Sequence, residues 1–200
     1  MHSRPVEVLL VEDSPADAQL TRTALLEGAV SKRLHVVVNG ADAIDFLRRR
    51  HGYERAPRPD VVLLDLNLPK MGGLEVLREI KSDPSLRAIT VIVLTTSQMM
   101  EDVRSAYDLA ANCYVVKPVD LDEFFHAIAG IEEFWMRVAT LPTIGRDPLG
   151  TSESEEKPSE PKSTQKGSAN ARRRHQKIAA VRRRVVGLIA RAGSTRNAAR

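Results

Sequence analysis

Four short segments constrain the fold of this chain more than any other feature: Val6–Val11, Val61–Leu64, Val91–Leu94 and Tyr114–Val116. Each is rich in β-branched residues and nearly continuous in apolar character, with Glu7 the one break in the first. A strand with one wet face alternates apolar and polar residues. A strand covered on both faces does not. These runs therefore read as strands of a parallel sheet, and a fifth candidate, Leu34–Val38, lies between the first two and ends at Asn39-Gly40.

Helical patterns fill the intervals. Ser14-Pro15 supplies an N-cap residue and a proline at the first helical position, Asp17 completes a capping-box-like spacing, and Gly28 stops the pattern. Further helices are predicted over Ala41–Arg49, Leu74–Ile80 and Gln98–Ala110, with Met99-Met100 read as packing residues. The last runs from Asp120 through Phe124, Ile128, Ile131 and Trp135 to about Thr140. Strand and helix alternating five times make an α/β fold, a doubly wound five-stranded parallel sheet with helices on both faces. In such a fold chemistry collects at the carboxyl ends of the strands.

Charge divides the chain in two. Residues 1–144 carry 16 basic and 21 acidic side chains, and residues 145–200 carry 14 basic and 5 acidic. The basic pI therefore belongs to the tail, and the body is not a uniformly basic nucleic-acid-binding domain. Residues 151–170 are rich in Ser, Glu, Lys and Pro without large apolar residues, so a disordered linker is expected over 145–170. Residues 171–200 form a basic tail in which Ile178, Val181, Val185, Leu188, Ile189 and Ala192 fall on one face of a possible amphipathic helix. One such helix cannot make a helix-turn-helix, so nucleic-acid binding is disfavoured and would rest on the tail alone. The single cysteine, Cys113, excludes an intramolecular disulfide and is read as a small buried strand residue in a reducing, cytoplasmic setting. No apolar run approaches the ~20 residues that span a bilayer.

On this layout Glu12-Asp13 ends the first strand and Asp65 the third, so three carboxylates converge at one sheet edge. Oxygen ligands of this kind suit a hard cation such as Mg²⁺. Thr95 and Lys117 end the last two strands and add a hydroxyl and an ammonium. Together they form a cleft in which a phosphoryl group can be transferred to Asp65 and its charge offset. Taken singly, each residue has an ordinary explanation as a cap, a turn or a strand-end side chain. Their joint placement does not.

Glu12-Asp13, Asp65, Thr95 and Lys117-Pro118, in this order and at these strand ends, resemble the receiver domain of two-component response regulators over about residues 5–140. The long insertion Phe46–Asp60 and the runs Val62–Pro69 and Cys113–Asp120 further resemble the single-domain regulators that partner phytochrome-type histidine kinases. The resemblance implies a flavodoxin-like receiver fold over residues 1–144. It implies Asp65 as phospho-acceptor, and Mg²⁺ held by Glu12, Asp13, Asp65 and the backbone carbonyl of Asn67. Thr95 and Lys117 would contact the phosphate, Thr95 and Tyr114 act as switch residues, and Asn67 and Ser97 tune phosphoryl lifetime. The Lys117-Pro118 bond would be cis. The implied partner is a sensor histidine kinase, and the chain would signal through altered protein contacts. It would not be an enzyme beyond its own phosphotransfer and dephosphorylation. The aromatic end of the last helix, Phe134-Trp135, is expected to contribute to a homodimer.

Two rival readings stay open on the residues alone. One is a transcriptional regulator whose basic tail binds nucleic acid. The other is an Asp-nucleophile phosphatase, disfavoured because Asn67 stands where such enzymes place a second Asp.

Overall fold

A computed structural model describes residues 4–142. The expected linker over 145–170 and basic tail over 171–200 lie outside the described residues.

Five strands, β1 (Val6–Val11), β2 (Lys32–Val37), β3 (Val61–Leu64), β4 (Thr90–Thr95) and β5 (Cys113–Val116), form one parallel sheet in the order β2-β1-β3-β4-β5. Helices α1 (Pro15–Glu27), α2 (Gly40–Leu47), α3 (Gly73–Ser82), α4 (Met100–Asp108) and α5 (Leu121–Ile131) connect and follow them. Alternate residues of each central strand enter opposite cores, which is why the runs lack polar alternation. Leu9, Val11, Val62, Leu64, Val91 and Val93 pack with α2, α3 and Ala106 of α4. Val8, Leu10, Val61, Leu63, Ile92 and Leu94 pack with α1 and α5.

The caps follow the sequence. Ser14 accepts the Asp17 N–H, Asn39 the Asp42 N–H, and Asp120 the N–H groups of Asp122 and Glu123. The insertion after α2 folds against the domain, with the Tyr53 ring 5.5 Å from Phe46 and Phe46 5.3 Å from His35.

The last helix departs from expectation. It is α-helical to Ile131 and then π-helical over Glu132–Val138, where Ala139 donates to the Phe134 carbonyl at 2.7 Å. Glu132 still lies on the buried face of α5, four residues after Ile128, and the wider turn then shifts the apolar stripe so that Met136 is buried while Phe134 and Val138 face solvent. Helix α4 begins at Met100 rather than Gln98, and Met99 and Met100 are exposed rather than packed. Cys113 is only half-buried, because β5 is an edge strand.

Candidate functional site

Strand register builds the site. Val11 pairs with Leu64 across β1 and β3, so the next residues, Glu12 and Asp65, leave the sheet side by side. Thr95 pairs with Val116 across β4 and β5, which places Lys117 next to it, and the Lys117 N–H donates to the Thr95 carbonyl at 2.7 Å. The Asp65 N–H donates to the Val11 carbonyl at 3.1 Å and fixes the third strand end. Gly73, which opens α3, presses on this point. A Cβ there would lie 2.2 Å from the Asp65 carbonyl oxygen, so only glycine lets the helix start so close.

Glu12, Asp65, Thr95 and Lys117 are all buried, and Asp13 is exposed. Lys117 Nζ donates to Glu12 Oε2 at 2.5 Å, Asp65 Oδ2 at 2.7 Å and Asp17 Oδ2 at 3.1 Å. The second oxygen of Asp65 accepts the Asn67 N–H at 3.1 Å, and that of Glu12 accepts the Ser14 N–H at 3.1 Å. Burial pushes the Lys117 ammonium down, but its hydrogen bonds to Asp65 and Glu12 outweigh that and hold it above the usual lysine range. Burial raises the Glu12 carboxyl above its usual range. Lys117 offsets only part of this, because one ammonium is divided among three carboxylates and Asp65 adds a like charge.

Carboxylate oxygens of Glu12, Asp13 and Asp65 lie within 4.8 Å of one another. The donor set is oxygen only, two of the three acids are buried, and the third opens to water. These residues fit a hard, partly hydrated divalent cation.

Around this cluster runs the β4–α4 loop. The Thr95 hydroxyl accepts the Ser97 N–H at 3.3 Å, and the Tyr114 hydroxyl donates to the Ser97 carbonyl at 3.1 Å. Ser97 Oγ donates to Asp102 Oδ2 at 2.5 Å, and the Asn67 amide donates to Thr96 Oγ1 at 3.3 Å. Burial raises the Tyr114 phenol, with the charges of Asp102 and Asp65 adding to it.

The structure thus gathers Glu12, Asp13, Asp65 and Lys117 into one cleft and links Thr95, Tyr114 and Ser97 to each other. Asn67 touches Asp65 through its N–H. The expected cis bond before Pro118 is corrected: the peptide is trans, as is every described one. An X–Pro bond prefers trans by about 0.5–1 kcal/mol, and Lys117 reaches its carboxylates from the trans form. Asp17 was not expected in the cleft. Its spacing from Ser14 marks a helix cap, which concealed it.

The family model of the response regulator receiver domain matches residues 8–129. Response regulator Rcp1 of Synechocystis is 46% identical over 138 residues, covering 69% of this chain and 94% of that protein. The crystal structure of a phosphorylated cyanobacterial phytochrome response regulator, RcpA, is similar with a TM-score of 0.68 at 46% identity, covering 70% of this chain and all of that one (100%). The Mn²⁺-bound form of Rcp1 is similar with a TM-score of 0.67 at 45% identity, again covering 70% of this chain and 100% of the other.

Proposed function

This chain belongs to the response regulator receiver family, and from that premise we propose that it accepts a phosphoryl group on Asp65 from a sensor histidine kinase of the phytochrome type. The observation that carries the reading is the setting of Asp65, a buried carboxylate at a strand end, 2.7 Å from Lys117 Nζ and within one oxygen cluster with Glu12 and Asp13. In the transfer an Asp65 oxygen attacks the phosphorus of a phosphohistidine. The O–P bond forms, the P–N bond breaks, and the imidazole leaves. In the later discharge water attacks phosphorus, the bond between Asp65 oxygen and phosphorus breaks, and inorganic phosphate and the Asp65 carboxylate are released.

Glu12, Asp13 and Asp65, with the Asn67 carbonyl, would hold Mg²⁺. When bound, the ion offsets charge on the phosphoryl oxygens. Lys117 supplies the second positive charge, and the Thr95 hydroxyl a hydrogen bond to the phosphoryl group. Thr95 and Tyr114 both hold Ser97, so a pull on the Thr95 hydroxyl reaches the loop before α4. Asn67 and Ser97 border the cleft, where they tune phosphoryl lifetime. The chain acts by protein contacts in the cytoplasm rather than on a free substrate. Among the described residues no helix is long and apolar enough to cross a membrane.

Acetyl phosphate with Mg²⁺ is expected to add one phosphoryl group, read by intact-mass spectrometry, and both EDTA and Asp65→Asn are expected to abolish it. An adduct that persists in Asp65→Asn overturns the assignment.

The contact surface we propose is a homodimer on the α4–β5–α5 side. All four residues of β5 are partly exposed, and Met99, Met100, Tyr107, Val119 and Phe134 are exposed large apolar side chains. Trp135 lies 5.0 Å from Phe134, edge to face. Light scattering of the full chain should give a dimer that Trp135→Ala weakens with the fold retained. A monomer both with and without a phosphoryl mimic would refute it.

A further inference from the structure

Asp17 occupies the third position of α1, three residues after the N-cap Ser14. A complete capping box would exchange two bonds, with the Asp17 carboxylate returning to the Ser14 N–H. Only one is made. The Asp17 N–H donates to Ser14 Oγ at 3.3 Å, whereas the Ser14 N–H donates to Glu12 Oε1 at 3.1 Å. The Asp17 carboxylate is thereby free to reach across the cleft, where its Oδ2 accepts from Lys117 Nζ at 3.1 Å.

Nζ has three N–H groups and meets three carboxylates, Glu12, Asp65 and Asp17. The first two are not equivalent to the third. Glu12 and Asp65 belong to the oxygen cluster that fits a divalent cation, and Asp17 does not. Ammonium and cation therefore compete for the same two carboxylates, and among the described residues Asp17 is the one carboxylate on Lys117 outside that competition.

Resting on the reading of the cleft as a cation-assisted phospho-acceptor site, we propose that Asp17 is a positioning residue: it seats the Lys117 ammonium at the cleft edge, so that Glu12 and Asp65 can turn to the cation while Lys117 stays within reach of the phosphoryl group. Without that seat, Lys117 has no third carboxylate to turn to and holds more tightly to Glu12 and Asp65. Cation binding is then weaker.

The test is Mn²⁺ binding to the full chain, measured by calorimetry. Asp17→Asn is expected to weaken binding about threefold to fivefold, the scale of a partly exposed ion pair, and Asp17→Glu to restore it. The same Asp17→Asn change in a Lys117→Met background is expected to alter affinity by less than about twofold, because the coupling partner is gone. An equal loss in both backgrounds would mean that Asp17 acts only by its bulk charge, and would overturn the proposal. So would no loss in either.

Should Lys117→Met not fold, Asp102→Asn replaces it as the comparison. It removes a charge that acts on Tyr114 together with Asp65, but it does not touch Lys117. Asp17→Asn must then exceed Asp102→Asn, and equality refutes the seat. Asp65→Asn separates the underlying reading. If it leaves Mn²⁺ affinity unchanged, the cation cleft itself is misassigned and the role of Asp17 falls with it. If it abolishes binding while Asp17→Asn does nothing, only the seat is wrong.

Discussion

Two lysines in this domain are buried against carboxylates, and they do opposite things. Lys32 on β2 pairs with Glu132 at 2.7 Å, with side-chain exposures of 7% and 5%. The other oxygen of Glu132 accepts the Val30 N–H at 2.9 Å. One charge meets one charge, and each Glu132 oxygen has a partner. Lys117 meets Glu12, Asp65 and Asp17, while Asp13 stands beside them without it. There the acids outnumber the ammonium, and the surplus negative charge suits a hard divalent cation. Burial and pairing alone do not distinguish a reactive cleft from a strut. The charge balance does.

The sharpest way to break the comparison is to cut the balanced pair. Glu132→Ala leaves Lys32 buried without a counter-charge, and removing one partner of a buried pair costs about 3–5 kcal/mol. The denaturant midpoint should fall accordingly, while Mn²⁺ affinity, measured where the variant is folded, stays at the wild-type value. Gly28→Ala should act in the same direction, since a Cβ there would lie 1.6 Å from Glu132 Oε2. A Glu132→Ala protein that keeps its stability, or loses cation binding while folded, would erase the distinction between strut and cleft.

A smaller effect comes from the unbalanced site and has a pH sign. Burial holds the Glu12 carboxyl above its ordinary value of 4.5 in the folded protein. The fold therefore binds that proton more tightly than the unfolded chain does. Stability from this group is present at low pH and is lost as pH rises from the unfolded value through the folded one. Glu12→Gln has no such dependence. In EDTA, raising the pH from about 5 to about 7.5 should cost the wild type stability relative to Glu12→Gln, read from denaturant midpoints at the two pH values. A relative gain by the wild type over this range would mean that Lys117 overcompensates Glu12.

How much of this was legible in the sequence differs between the two sites. Val61–Leu64 is legible to the residue because both faces of β3 are buried, and continuous apolar character is a direct record of that. The acids Glu12, Asp13 and Asp65 were legible because each follows such a run. Glu132 was not. Beside Glu133, in a helical pattern that runs on through Trp135, it looks like a solvated position, although it follows Ile128 by four residues and Phe125 by seven and so continues the buried face of α5. The π-helical turn that begins there, after which Met136 is buried, leaves no mark on an apolar period that short. Asp17 is hidden differently: its spacing from Ser14 marks a cap, which accounts for the backbone N–H and says nothing of the carboxylate. The Lys117-Pro118 isomer depends on a margin smaller than a single hydrogen bond to a charged group, and local sequence does not record it.

The smallest effect belongs next door to the strut and tests whether burial, rather than the mere presence of an acid and a base, sets the scale. Arg137 and Glu133 form an i,i+4 pair at 3.0 Å on the same π-helical segment as Glu132, with side-chain exposures of 64% and 59%. Water already solvates both groups, so neither is stranded when the other is removed, and salt screens what attraction they have. Arg137→Ala is expected to shift stability by no more than about 0.5 kcal/mol, and to shift it less still at high salt, as read from paired denaturant melts. A loss approaching that of Glu132→Ala would mean that the segment is held by its surface charges, and the contrast between a sealed pair and a solvated one, a single residue apart in sequence, would fail.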